Sequence, residues 1–379
     1  MDREFQIFVK PAGSDCNLRC SYCYYLGKNA LYSGTGLHRM TAEILEKYIV
    51  QHIEASTDKV IMFSWHGGEP TMAGLDFFRK AVRLQKKYLP EGYKIINGIQ
   101  TNGTLLDDTW CRFLFDENFL VGISIDGPQE FHDRYRLTGA GGSTFSRVMQ
   151  GYELLKKYRI TSEILCVLNS YNTGYPLQLY NFFKGLDAEF MTFLPLVEQQ
   201  PDAGSEVSSA SVDPVVYGNF LMKVFDEWIA KDVGKIRIQI FEEAARTAFR
   251  QEHTLCIFKV TCGGVPVVEH NGDFYSCDHY VNRQHLIGNI KHKSLAELLD
   301  SPEQRAFGEA KSSKLPAYCR ECDVLEMCNG ECPKNRFIHT PDGEPGLNYL
   351  CPGYKLFFNH CRPFIEALRI ASLRQNSSY

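Results

Sequence analysis

The chain has 379 residues, of which 44% are hydrophobic and 23% charged, with a formal net charge of −4. This composition describes an ordinary globular protein of two or three domains, with neither a basic nucleic-acid footprint nor an apolar run long enough to span a bilayer. The start, Met1-Asp2-Arg3-Glu4, lacks the basic and apolar regions of a signal peptide, so a cytoplasmic location is expected. In a reducing compartment, 14 cysteines read as metal ligands or catalytic groups and not as a disulfide framework.

Short β-like runs alternate with helical patterns over residues 5–195. Strands are expected at 5–9, 60–65, 94–100, 120–125, 162–168 and 189–194, with helices near 41–56, 74–88, 107–117, 143–158 and 174–184. Repeated βα units imply a parallel sheet with right-handed crossovers. Six strands are too few for a closed eight-stranded barrel. Residues 197–213 read as a loop, 214–231 as a helix, and 236–241 as a β-like stretch leading into another helix. From Cys256 onward the pattern turns cysteine-rich. An apolar run over 265–269, the hairpin turn Asn271-Gly272 and a second alternating run lead to Cys277.

Three motifs fall at carboxyl ends of expected strands, where ligands sit in parallel α/β folds. They are His66-Gly67-Gly68-Glu69-Pro70, Thr101-Asn102-Gly103 and Asp126-Gly127-Pro128. Near the N-terminus, Cys16, Cys20 and Cys23 have C-x3-C-x2-C spacing. Three thiolates on a four-iron cubane leave one iron open to a small molecule. A zinc site or buried thiols are the alternatives on spacing alone.

This loop, with the aromatic Tyr22 before its last cysteine, resembles the radical S-adenosylmethionine (SAM) enzymes, whose open iron holds SAM. Gly67-Gly68-Glu69-Pro70 resembles that family's GGEP motif. The resemblance implies an open (β/α)6 partial barrel over residues 1–235, with Tyr22, Gly67, Gly68, Glu69, Ser124 and Arg136 at the SAM site. The C-terminal cysteines resemble a SPASM domain, here 236–379 with a C-terminal helix, which carries two auxiliary [4Fe–4S] clusters. Cys256, Cys262, Cys277 and Cys332 would hold one, and Cys319, Cys322, Cys328 and Cys351 the other, giving three [4Fe–4S] clusters in all. Cys111 and Cys166 are then left as core residues, and Cys361 competes with Cys351. Two four-cysteine zinc sites are the structural alternative.

Asp278 follows Cys277. A carboxylate beside an anionic cluster should be hard to ionise, which raises its pKa toward that of a general base; otherwise it simply faces water or caps a turn. The run Asp273-Phe-Tyr-Ser-Cys-Asp-His-Tyr280 resembles the anaerobic sulfatase-maturating enzymes, where the Asp after this cysteine is the proposed base. That family oxidises a Cys or Ser of a sulfatase to Cα-formylglycine. The resemblance implies an unfolded or nascent sulfatase polypeptide as substrate, a reducing donor such as flavodoxin or ferredoxin, and Tyr25, His66 and Gln100 against the peptide. Relatives can carry Gln in place of His66. The competing functions are a thioether-crosslinking peptide maturase, disfavoured because only about fifteen residues precede Cys16, and a non-catalytic zinc scaffold.

Overall fold

In the computed structural model, which describes residues 4–32, 37–200 and 206–376, the apolar runs become strands. In chain order these are β1 (Phe8–Lys10), β2 (Val60–Trp65), β3 (Lys94–Thr101), β4 (Leu120–Ser124), β5 (Ser162–Leu168), β6 (Phe190–Pro195), β7 (Arg237–Ile238), β8 (Val267–Glu269), β9 (Asp273–Tyr275) and β10 (Leu286–Asn289). The main helices are α1 (Ala42–Ala55), α2 (Leu75–Tyr88), α3 (Asp108–Asp116), α4 (Gln129–His132), α5 (Phe145–Lys157), α6 (Pro176–Gly185), α7 (Pro214–Lys231) and α8 (Gln239–Arg246), and a long helix ends the chain over Cys351–Asn376. The interior is built from residues such as Val9, Phe63, Trp65, Ile99 and Ile123, each at most 2% exposed.

The chain divides into two compact units. The first comprises Met1–Ser124, His132–Ser162 and Gly263–Gly308; the second comprises Ile125–Phe131, Glu163–Cys262 and Glu309–Tyr379. In the first, strands lie in the order β10-β9-β8-β1-β2-β3-β4. β1 to β4 run parallel to their neighbours, as the βα alternation requires. The Asn271-Gly272 hairpin forms as expected, and its first strand docks in parallel beside β1 with Lys10 opposite Glu269. In the second unit β5, β6 and β7 are parallel. There α7 starts on an Asp213 cap that accepts from the Val215 and Val216 N–H groups, both at 2.9 Å. It packs along the C-terminal helix where Gly218 faces Gly353: a β-carbon on Gly218 would stand 2.7 Å from the Gly353 carbonyl, so neither position admits a side chain without movement.

Two expectations shift. The first strand is centred on residues 8–10 and not on 5–9, and it ends on a buried lysine. The stretch 236–241 holds only two strand residues before α8 begins, because Ile240, Phe241 and Ala244 bury one helical face. Within 197–213, residues 201–205 lie outside the described residues; the flanks form no helix, and Gln199 bridges Val207.

Candidate active site and cluster sites

The loop holding Cys16, Cys20 and Cys23 follows directly from β1. Its backbone is pinned by Arg19 N–H to Leu137 O (2.7 Å), Ser21 N–H to Tyr135 O (3.0 Å) and Cys23 N–H to Cys20 O (3.0 Å). The Cys16 thiol takes the Leu18 N–H at 3.3 Å and the Asn102 amide at 3.7 Å. Burial, then the nearby charges of Glu69, Cys20 and Cys23, push the Cys16 thiol up to about 12 against that Leu18 bond. A thiol held up in this way ionises when positive charge is supplied, which is the condition a metal cluster meets.

The glycine motif packs against this loop. Gly68 donates to Gly13 O and Glu69 N–H to Asp15 O, both at 2.8 Å. A β-carbon on Gly68 would lie 2.2 Å from Asp15 O. The close approach that requires glycine there is to the cysteine loop's own backbone. Glu69 is 1% exposed. Its carboxylate accepts from Thr71 N–H (3.1 Å), Thr71 Oγ1 (2.7 Å), Thr101 Oγ1 (2.7 Å) and Asn102 N–H (2.7 Å). Burial raises its pKa against those bonds. Glu69 thereby fixes Asn102, whose amide reaches Cys16 and Asn17.

Tyr22 and Arg136 are both buried, with the guanidinium 5.6 Å from the Tyr22 ring centre. On neighbouring strands, Gln100 Nε2 donates to Ser124 Oγ at 3.1 Å. His66 stacks on Phe8 with ring centres 3.8 Å apart and planes 11° apart. Burial, then the Lys10 charge, lowers its pKa to about 3, so the imidazole is neutral at physiological pH.

Asp278 is 8% exposed and meets Lys10, which is wholly buried: Nζ stands 2.5 Å from Oδ1. The other carboxylate oxygen accepts from the Tyr24 hydroxyl. Burial pushes the Asp278 pKa up, but the charges of Lys10, His279 and His66, with the Lys10 contact, outweigh it and hold the carboxyl at about 2. Among the protein's own charges the carboxyl is therefore lowered, chiefly by a lysine from the far end of the chain. Tyr25 is 2% exposed, donates to Glu269, and lies beneath Lys10 Nζ at 4.4 Å. Tyr24 is half exposed and touches Asp278 directly. Lys10, Tyr24 and Glu269 were absent from the sequence-derived site. Their signal was a lysine closing an apolar run and two tyrosines after the last cysteine.

In the second unit, Cys319, Cys322, Cys328 and Cys351 line one cavity with Tyr318, Leu325, Gly330, Leu347, Tyr354 and Lys355. Burial pushes Cys351 up to about 11 and Cys328 further. The four thiols border a common space. That donor set fits a polynuclear cluster. Cys361 is fully buried, donates to Phe358 O at 3.5 Å and does not line this cavity. Cys111 and Cys166 are fully buried. Cys256, Cys262 and Cys332 all act on one buried ammonium, Lys311. Cys277, assigned with them, belongs to the first unit.

Residues 11–182 match the Radical SAM superfamily, and 262–323 match SPASM, an iron–sulfur cluster-binding domain. The chain is 46% identical to the serine-type anaerobic sulfatase-maturating enzyme of Bacteroides thetaiotaomicron, over 98% of this chain and 92% of that one. It is 35% identical to the cysteine-type enzyme of Clostridium perfringens, over 94% and 96%. The solved structure of native anSMEcpe with bound AdoMet and Cp18Cys peptide superposes with a TM-score of 0.86 at 33% identity, covering 97% of this chain and 99% of that one. Among the described residues no helix is long and apolar enough to cross a membrane. The α/β fold, the paired Radical SAM and SPASM matches and the near full-length identity agree: the chain belongs to the anaerobic sulfatase-maturating enzymes.

Proposed function

We propose that this chain oxidises the β-carbon of a Cys or Ser in a sulfatase polypeptide to Cα-formylglycine, using SAM and three [4Fe–4S] clusters. The observation that carries the reading is Asp278, which meets Lys10 and Tyr24 in the same unit as the Cys16–Cys23 loop. When bound, the open-iron cluster and SAM supply a 5′-deoxyadenosyl radical able to take a hydrogen atom from Cβ. Cys16, Cys20 and Cys23 hold that cluster. Tyr22, Gly67, Gly68, Ser124 and Arg136 surround SAM, and Glu69 keeps the glycine turn and Asn102 in place. The Arg136 fork suits the SAM carboxylate.

Asp278 is the base that receives the thiol or hydroxyl proton. Lys10 keeps it ionised and ready, and the Tyr24 hydroxyl aims its second oxygen. His66, neutral and fixed by its stack on Phe8, hydrogen-bonds the peptide, with Gln100 and Tyr25 supporting that wall. Cys256, Cys262, Cys277 and Cys332 bind one auxiliary cluster. Cys319, Cys322, Cys328 and Cys351 bind the second. When bound, the two clusters would supply an acceptor for the remaining electron. The substrate is an unfolded or nascent sulfatase in the cytoplasm, and a flavodoxin or ferredoxin supplies reducing equivalents. The module boundary near 235 separates the SAM-binding part from the auxiliary-cluster part.

The test is mass spectrometry of a sulfatase-motif peptide after anaerobic incubation with SAM and reductant. Loss of the Cys or Ser side chain with gain of an aldehyde is expected, from protein containing about twelve irons per chain. Zinc without iron, or intact peptide alongside released deoxyadenosine, would overturn the reading.

A further inference from the structure

The second unit holds two cations, one buried and one partly buried, that the steps above do not use. Lys311 is fully buried, and its Nζ donates to the carbonyls of Cys256 at 2.8 Å and Ile257 at 2.7 Å. The Arg336 guanidinium has four main-chain acceptors: Gly330 O at 2.9 Å, Asn329 O and Glu331 O at 3.1 Å, and Lys311 O at 2.5 Å. The two cations are thus joined through one carbonyl. Between them they grip the chain beside Cys256 and the turn between Cys328 and Cys332.

Both face thiols. Burial lowers the Lys311 pKa, opposed by Cys262, Cys256 and Cys332; Arg336 is lowered likewise, opposed by Cys319 and Cys262 in turn. Gly330, which lines the four-cysteine cavity, lies against Arg336: a β-carbon there would stand 2.7 Å from Nη2. Arg336 therefore adjoins members of both cysteine sets, and Lys311 adjoins three members of one. Main-chain carbonyls could be tied by neutral amides. Burying a charge instead costs several kcal/mol unless negative charge offsets it.

We propose that Lys311 and Arg336 form a cationic bridge that raises the reduction potentials of both auxiliary clusters. The proposal rests on the two four-thiolate clusters assigned above. In the reaction one hydrogen atom leaves Cβ for the deoxyadenosyl radical, one proton passes to Asp278, and one electron remains to be taken up. An electron added to a cluster adds negative charge, which an adjacent buried cation stabilises. The bridge makes that uptake favourable and lessens repulsion between the two anionic clusters.

The test is an EPR-monitored redox titration of anaerobically reconstituted enzyme, with iron content measured on the same samples. Lys311→Gln keeps a donor for Cys256 O and removes the charge. At fixed potential it should move the first auxiliary cluster about tenfold toward the oxidised form, ~59 mV for a one-electron couple. Arg336→Gln should move both clusters, and the charge-preserving Lys311→Arg neither. Wild-type enzyme without auxiliary signals would remove the cluster assignment and the bridge with it. Signals present in wild type but unmoved in both Gln variants would remove the bridge alone. If Lys311→Gln fails to load iron, Arg336→Gln reads the same effect. Loss of iron in both Gln variants would make the pair purely structural and overturn the proposal.

Discussion

Lys10→Met isolates the charge that holds the Asp278 carboxyl down. Met keeps most of the buried stem and removes the ammonium that stands 2.5 Å from Asp278 and 4.4 Å from the centre of the Tyr25 ring. The pair is a close charge contact outside hydrogen-bond alignment, so its effect is chiefly Coulombic. Holding the Asp278 carboxyl at about 2 instead of 3.8 corresponds to ~2.5 kcal/mol in favour of the ionised form. Because the folded pKa is depressed, that stabilisation is present above about pH 4 and is lost as pH falls toward 2. Without Lys10, burial governs and the carboxyl moves above its ordinary value. Removing one partner of a buried pair costs about 3–5 kcal/mol, since the other charge is left uncompensated. The assay is the pH–rate profile of formylglycine formation, alongside deoxyadenosine release. Wild-type enzyme should show no acid limb across the range in which the clusters survive. Lys10→Met should develop one and lose product, while SAM cleavage persists. A flat profile at wild-type rate in the variant would refute Lys10 as the group that keeps Asp278 ionised.

Asp278→Asn should leave deoxyadenosine release intact and reduce formylglycine by about 10²–10⁴-fold, the usual contribution of a general base, as read by peptide mass spectrometry. Cys20→Ala should abolish SAM cleavage while the auxiliary-cluster EPR signals remain; retained cleavage would contradict the ligand assignment. Glu69→Ala removes the acceptor of four buried bonds, so at ~1 kcal/mol each the loss is about 4 kcal/mol, seen as a lowered melting temperature and poor loading of the N-terminal cluster. A wild-type melting curve would show that those donors find other partners.

How far the fold could be read depended on whether its determinants were local. β2 occupies the residues its apolar run marked, and the Asn271-Gly272 turn closes the hairpin that its chemistry dictates. The cysteine sets rest on the resemblance to a SPASM domain, and the structure brings Cys319, Cys322, Cys328 and Cys351 to one cavity. Lys10 could not be recognised from neighbours. A lysine after Phe8-Val9 reads as a strand end entering water, and it is Asp278, far along the chain, that makes its burial tolerable. The same long-range pairing lowers the Asp278 carboxyl among the protein's own charges, a partner that adjacency to Cys277 conceals. Tyr24 and Tyr25 are indistinguishable as letters; which one reaches Asp278 depends on how the loop turns.

The hairpin docked on β1 unites these observations. Its first strand pairs Phe8 with Val267, Val9 with Val268 and Lys10 with Glu269, and its second runs directly into Cys277 and Asp278. One register therefore fixes two things: Glu269 opposite the buried lysine, and Asp278 against that lysine. A strand's side chains alternate faces, so a slip of one residue would turn Glu269 away and carry Asp278 out of reach of Lys10. Val267 and Val268 are both fully buried, so such a slip would force both faces of the strand to repack. The pairing of a short strand is thus what sets Asp278 against Lys10, through residues distant from that carboxylate in sequence.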